Sequence, residues 1–151
     1  MKKRLISLTS LVILVILHIS CSKEGNTPPA AKTKTDLITK ASWKFEKATA
    51  GVAGDISSAI KPCLKDNTIT FATNKTGSIS ESADVCSPSY ANNFTWEFQV
   101  NETILHLSTP VFPGGSNDFT LVSLTETNLV LSQVMTVAPY PPTTVEVTFK
   151  Q

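Results

Sequence analysis

Apolar and polar residues alternate along most of the chain from residue 43 onward. In Trp43-Lys-Phe-Glu-Lys47, Trp43 and Phe45 point to one face and Lys44 and Glu46 to the other, the period of a half-buried β-strand. Phe94, Trp96 and Phe98 share a face in the same way, with Thr95 and Glu97 opposite. The pattern predicts about eight strands, at 43–47, 67–72, 78–81, 93–98, 103–107, 118–124, 128–134 and 144–150.

Short breaks separate these strands. Asn74 with Gly77 predicts a tight turn, residues 125–127 predict another, and the proline-rich segments 110–116 and 139–142 predict loops. Before the second strand, residues 50–60 contain two glycines and are predicted to be a loop.

The only helix predicted in the domain is a turn or two within residues 36–42, capped by Asp36. Successive strands without helical crossovers imply antiparallel neighbours. The predicted fold is therefore all-β, an antiparallel up-and-down barrel of about eight strands with a short N-terminal helical turn. A two-sheet sandwich is the alternative. An eight-stranded barrel is either filled by its own side chains or holds one small ligand.

The first twenty residues have the layout of a signal peptide. Lys2, Lys3 and Arg4 precede an apolar run from Leu5 to Ile19. The run has 15 residues, fewer than the roughly 20 that a helix needs to span a bilayer. A cleaved leader over residues 1–20 is therefore favoured over a retained transmembrane anchor.

Leu17-His-Ile-Ser-Cys21 resembles the lipobox of bacterial lipoproteins, in which a small residue precedes the cysteine that becomes lipidated. We therefore expect Cys21 to carry acyl chains that hold the protein at a membrane. The alternative is an unpaired exposed thiol, which is a liability in an oxidising compartment. Residues 21–35 lack large apolar side chains and are predicted to be a flexible tether, with the barrel domain spanning 36–151.

Charge argues against one class of partner. The whole chain has a net charge of +1, but removing Lys2, Lys3 and Arg4 leaves 10 basic and 12 acidic residues, a net charge of −2. Nucleic-acid binding draws its affinity from clustered Lys and Arg. A weakly acidic domain without a basic stripe is not expected to bind nucleic acid.

Cys63 and Cys86 lie 23 positions apart in a chain that is expected to be exported. A disulfide between them fits that compartment and would stabilise the fold by roughly 3 kcal/mol on the chain-entropy model. Two separate buried thiols are the alternative. A metal site fits less well, because no Cys-x-x-Cys or paired histidine accompanies the two cysteines.

From Leu37 to Lys150 the chain resembles the lipocalin-like lipoproteins of Bacteroidetes. The resemblance rests on Ala41-Ser-Trp43, Cys63 to Phe71, Gly77, Cys86, Thr95-Trp96 and Leu121 to Leu131. It implies a calyx, a small barrel with one open end, of the kind that carries or sequesters small apolar molecules. It also implies an outer-membrane lipoprotein of the cell envelope, facing the periplasm or the surface.

Six inward-facing residues are candidates for lining such a cavity: Trp43, Phe45, Ile69, Phe71, Trp96 and Phe98. They would equally well fill the core of so small a barrel. Phe112 and Tyr140 lie in proline-rich loops and are candidates for the rim of the opening, with simple loop packing as the alternative.

Catalysis is not expected. His106 is the only histidine after the leader, and it alternates with Leu105 and Leu107, which predicts that it faces solvent, or the lumen if the two leucines pack outward. Neither a catalytic triad nor a histidine metal site has the partners it requires. No metal or other cofactor is expected.

Two functions follow. The first is a membrane-anchored lipoprotein whose barrel binds a small hydrophobic or amphipathic molecule, which requires an open apolar cavity. The second is a lipoprotein that binds another protein, as an envelope subunit or a hydrolase inhibitor, which requires a filled interior and an exposed loop patch.

Overall fold

Eight antiparallel strands close into a barrel in the computed structural model, which describes residues 30–151. Each strand of the barrel pairs with the next along the chain, and β1 pairs with β9 to complete the ring. A ninth, two-residue strand, β2, pairs only with the end of β1. The strands are β1 Trp43–Ala50, β2 Gly54–Asp55, β3 Thr68–Phe71, β4 Thr76–Ser80, β5 Asn92–Gln99, β6 Ile104–Leu107, β7 Asp118–Leu124, β8 Asn128–Met135 and β9 Thr143–Lys150.

The predicted all-β barrel is confirmed, and each of the eight predicted strands overlaps one strand of the ring. The predicted signal peptide, Cys21 and residues 21–29 of the predicted tether lie outside the described residues.

The predicted N-terminal helical turn is confirmed, but its bounds and its N-cap differ from the prediction. Helix α1 spans Lys34–Ile38, and its N-cap is Thr33 rather than Asp36. Asp36 is the second residue of a capping box with Thr33. Its carboxylate accepts hydrogen bonds from the backbone N–H and the hydroxyl of Thr33, and its own backbone N–H donates to the Thr33 hydroxyl. These bonds hold the pKa of the Asp36 carboxyl below its ordinary value.

The segment between β1 and β3 also differs from the prediction of a plain loop. It contains the 3-10 turns Gly51–Ala53 and Ser57–Ala59, the short strand β2, and a second helix, α2, at Pro62–Lys65. Pro62 stands at the start of α2, where its missing N–H costs no helical bond. Helices this short have no 3.6-residue period that a sequence pattern could reveal.

One end of the barrel is closed. Three turns (residues 72–75, 100–103 and 125–127) meet there, and α1 lies across them; we call this the closed end. Ile38 of α1 is fully buried. Lys34 donates to the backbone oxygen of Glu102 at 2.7 Å, and Lys40 pairs with Glu126 at 3.0 Å, so the helix is tied to two of the turns.

The opposite end carries the long connections 51–67, 81–91, 108–117 and 136–142; we call it the mouth. Cys63 and Cys86 form a disulfide that joins the first two of these loops, which confirms the predicted pairing. The long loops and their cross-link therefore lie together at one end, away from α1.

The barrel wall also corrects the prediction for Gly77. This glycine lies within β4 rather than in the preceding turn, where Lys75 has the positive φ of 68°. The ring of Phe94 packs over Gly77, and a Cβ there would come within 2.6 Å of the Thr70 carbonyl oxygen. Glycine is needed because an aromatic ring and a neighbouring strand occupy the space of a side chain.

Candidate functional site

The six candidate cavity residues all point into the barrel. Trp43, Ile69, Phe71 and Trp96 are between 0% and 6% exposed, whereas Phe45 and Phe98 are half-buried. Most of them lie toward the closed end, because Trp43 begins β1, Phe71 ends β3 and Phe98 is next to the end of β5.

These aromatic rings contact one another. Phe71 lies 5.6 Å from Trp96 between ring centroids, and Trp96 lies 5.5 Å from Phe98, both edge to face. The Trp96 indole N–H donates to the backbone oxygens of Ala72 and Thr76, so the ring is fixed in place. Edge-to-face pairs at such distances are favourable packing. The rings therefore fill space in this half of the barrel, and their role in ligand binding stays a prediction.

An apolar cleft opens at the mouth. Its volume is about 190 Å³. One wall comes from α2 and the turn before it, the second from loop 108–117, and the third from the end of β8 and the chain after it. We call it the mouth cleft, and it is lined by Ala59, Ile60, Lys61, Leu64, Phe112, Pro113, Met135, Thr136, Val137 and Ala138.

Phe112, a predicted rim residue, forms part of this cleft. Its side chain is only 5% exposed and stacks on Phe149 of β9, with the ring centroids 6.4 Å apart. Phe112 and Pro113 also border a second cleft of about 380 Å³ between loops 81–91 and 108–117. The other predicted rim residue, Tyr140, is half-buried against the core and does not line the mouth cleft.

The Glu81 carboxylate accepts several hydrogen bonds from the loop after β4. Glu81 accepts bonds from the backbone N–H groups of Cys86 and Tyr90 and from the Ser89 hydroxyl. The Ser89 and Tyr90 bonds, the strongest causes, lower the pKa of the Glu81 carboxyl from its ordinary value. Together with the disulfide at Cys86, Glu81 gives loop 81–91 a defined shape at the edge of the second cleft.

His106 is on the outer face of β6, as predicted, and pairs with Asp118 on the neighbouring strand. Within residues 30–151, no three His, Cys, Asp or Glu side chains are grouped as a metal site. A concavity of about 550 Å³ on the outer face of β3, β4 and β5 is lined mainly by Ser, Thr and Asn side chains and is a solvated sheet surface.

Apart from Phe112, the residues that line the mouth cleft were not among the sequence candidates. Leu64 and Met135 are brought together by loops that carry no periodic signal. One signal was present in β8: the inward row Leu129, Leu131, Gln133, Met135 is interrupted by a polar residue. A buried glutamine in an apolar row indicates either a structural hydrogen bond or a binding group.

Comparisons with known proteins agree with the barrel. A family model described as a lipocalin-like domain matches residues 39–131. No curated protein sequence matches the chain. In the part of the chain from residue 30 to residue 151, no helix is both long and apolar enough to cross a membrane.

Proposed function

Because the chain belongs to the lipocalin-like domain family, we propose that it acts by binding a small hydrophobic or amphipathic molecule, and that the mouth cleft holds the apolar part of that molecule. The observation that carries the proposal is the apolar lining of this cleft at the end where the long loops lie. The aromatic side chains nearer the closed end pack against each other instead.

The lining fits an apolar guest. Ile60, Leu64, Met135 and Val137 are each less than 10% exposed, so they present packed hydrocarbon rather than mobile side chains. Apolar surface removed from water stabilises a complex by about 25 cal/mol per Å². Thr136 and Lys61 are the exposed polar residues of the lining, and they can face the water-soluble end of an amphipathic guest.

The same proposal includes membrane anchoring. The leader followed by Ser20-Cys21 supports a lipid on Cys21, and hence an outer-membrane lipoprotein of the cell envelope. Cys21→Ala should release the protein from membranes into the soluble fraction of fractionated cells. Membrane retention of this variant would contradict the anchor without bearing on the cleft.

Met135 provides a direct test of the cleft. The only other methionine, Met1, lies in the leader that the proposed cleavage before Cys21 removes, so labelling the methionine methyl groups with ¹³C gives one signal, from the cleft. Cumene is a small apolar probe without a hydrogen-bonding group. Titration of the lipidated protein, reconstituted in lipid nanodiscs, should shift the Met135 methyl signal saturably.

Two matched variants localise the effect. Ala59→Phe places a ring in the mouth cleft and should abolish the shift of the Met135 signal. Ala72→Phe makes the same change in the turn 72–75 at the closed end and should leave the shift intact. Binding in the cleft is contradicted if cumene does not shift the Met135 methyl signal of the wild type, or if it shifts that signal equally in the two variants.

Binding of a protein partner is the second candidate, and the packed interior favours it. The rings of Phe71, Trp96 and Phe98 pack edge to face in the part of the barrel where a calyx would have an open cavity. On this account, the mouth cleft receives an apolar side chain of the partner. Purification from the cells in which the protein naturally occurs distinguishes the two functions. If the cleft binds a protein, that protein should co-purify with Ala72→Phe and should be absent from Ala59→Phe.

A further inference from the structure

Gln133 lies deeper in the barrel than the mouth cleft. It occupies the inward position next to Met135 on β8, and it is 7% exposed. Gly115 and Ser116, which pack against its amide, follow Pro113 of the cleft wall. The amide therefore lies one inward position below Met135, behind the lining of the cleft, and a bound molecule must reach past Met135 to contact it.

In the side-chain amide of Gln133, the oxygen is hydrogen-bonded and the nitrogen is not. The Ser116 backbone N–H donates to Gln133 Oε1 at 2.7 Å, which fixes the acceptor oxygen of the amide on that side. The nitrogen, Nε2, is buried and has no hydrogen-bond partner among the described residues. Buried donors are nearly always paired, because leaving one unpaired is costly. Gly115 has no side chain, and a Cβ there would come within 3.0 Å of Nε2.

The geometry points to Gln133 as the group that recognises the polar end of the bound molecule. Its Nε2 donates a hydrogen bond to the uncharged carbonyl oxygen of a ketone, ester or amide. The apolar body of the same molecule lies in the mouth cleft. This inference rests on the proposed function. A carbonyl suits the site better than a carboxylate, because burying an ion against a neutral amide costs far more hydration. An alcohol is a weaker match, since its own proton would also need an acceptor.

Three probes of similar size test this. Acetophenone has a carbonyl oxygen, cumene has the same shape without an acceptor, and benzoate has a charged acceptor. The chain has three glutamines, so labelling glutamine side chains with ¹⁵N gives signals from Gln99, Gln133 and Gln151 only. In the full chain in nanodiscs, acetophenone should shift the Gln133 side-chain signal downfield, cumene should not, and Gln99 and Gln151 should not respond to either probe.

A variant supplies the affinity readout. Gln133→Met keeps nearly the same side-chain volume and removes the donor, so it should weaken acetophenone about tenfold, the effect of one buried hydrogen bond, and leave cumene unchanged. Gln99→Met is the same substitution near the closed end and should change neither affinity. The wild-type glutamine signal remains decisive if Gln133→Met does not fold.

The outcomes separate the two proposals. If both acetophenone and cumene shift the Met135 methyl signal but the Gln133 amide signal stays in place, the role of Gln133 is overturned and the cleft stands. Tighter binding of benzoate than of acetophenone overturns the uncharged-carbonyl class. If neither acetophenone nor cumene moves the Met135 signal, the proposed function itself fails.

Discussion

Trp43 donates a hydrogen bond from its indole nitrogen to the backbone oxygen of Ile38, at 2.8 Å, and both residues are fully buried. The bond joins the first strand of the barrel to the helix that covers its closed end. Because α1 has only five residues, it is too short to be stable alone, and its position depends on such contacts with the barrel.

Replacing Trp43 by Phe should loosen this helix. The variant keeps an aromatic ring but loses the donor to Ile38, and we expect the free energy of unfolding to fall by roughly 1–3 kcal/mol. Hydrogen exchange of the amides of α1 should accelerate. Trp96→Phe is the control, since that indole bonds the turn 72–76 instead. Equal exchange of α1 in the two variants would contradict the assigned role of Trp43.

Acid should loosen the same helix by a different route. Glu126 accepts bonds from Lys32 and Lys40, and these two lysines lower its pKa from the ordinary 4.5 to about 2. Because the folded-state pKa is lowered, the stabilisation is complete above about pH 4.5 and is lost as the pH falls from there toward 2.

Hydrogen exchange of α1 between pH 5 and pH 2 checks this effect, after correction for the intrinsic exchange rate. Glu126→Gln should reduce the acid dependence of α1 protection and leave the part that comes from the Asp36 carboxylate of the capping box, whereas Glu97→Gln on β5 should preserve the whole dependence. The groups are exposed, so added salt should weaken the effect. An unchanged pH profile in Glu126→Gln would show that other groups hold the helix.

Gly77→Ala should be costly although it adds one methyl group. The new Cβ would collide with the Phe94 ring and with the backbone oxygen of Thr70. The ring can shift, but the neighbouring strand cannot, so we expect a loss of roughly 1–3 kcal/mol in a denaturant titration. Ser78→Ala, one position along the same strand, should cost less, because its hydroxyl bonds only the exposed Thr70 hydroxyl. Similar losses in both variants would argue against steric crowding.

Removing the disulfide should affect the mouth selectively. Cys63→Ser with Cys86→Ser opens a cross-link between residues 23 apart, which on the chain-entropy model lowers the free energy of unfolding by roughly 3 kcal/mol. Exchange should rise in loops 51–67 and 81–91 more than in α1. Cys21→Ser, which touches neither loop, should leave the unfolding free energy unchanged. A uniform rise in exchange across the barrel would mean that the cross-link has no local role.

The strand pattern could be predicted because alternation is local. Trp43 with Phe45, and Phe94 with Trp96 and Phe98, assign their faces without reference to any other strand. Gly77 could not be placed, because its requirement comes from Phe94 on a neighbouring strand. The pairing of β1 with β9 brings together the two ends of the domain, which no local pattern predicts. Its register shift between Phe45 and Lys47 coincides with the two adjacent charged residues Glu46 and Lys47, where the alternation changes phase.

The candidate site was less predictable for the same reason. Ala59, Phe112 and Met135 come from three distant segments, and only the closed barrel brings them together. Sequence favoured the aromatic residues because they concentrate apolar surface. The structure shows that such residues also make the best packing partners for each other, so the cleft is at the mouth, where loops rather than strands form the wall.

Native mass spectrometry of the protein purified from the cells in which it naturally occurs tests the central claim most directly. We expect a reproducible small-molecule adduct on the wild-type chain and on Ala72→Phe, and its loss from Ala59→Phe. A wild-type chain that carries no small molecule, or an adduct that Ala59→Phe retains, would contradict the claim that the mouth cleft is a binding site.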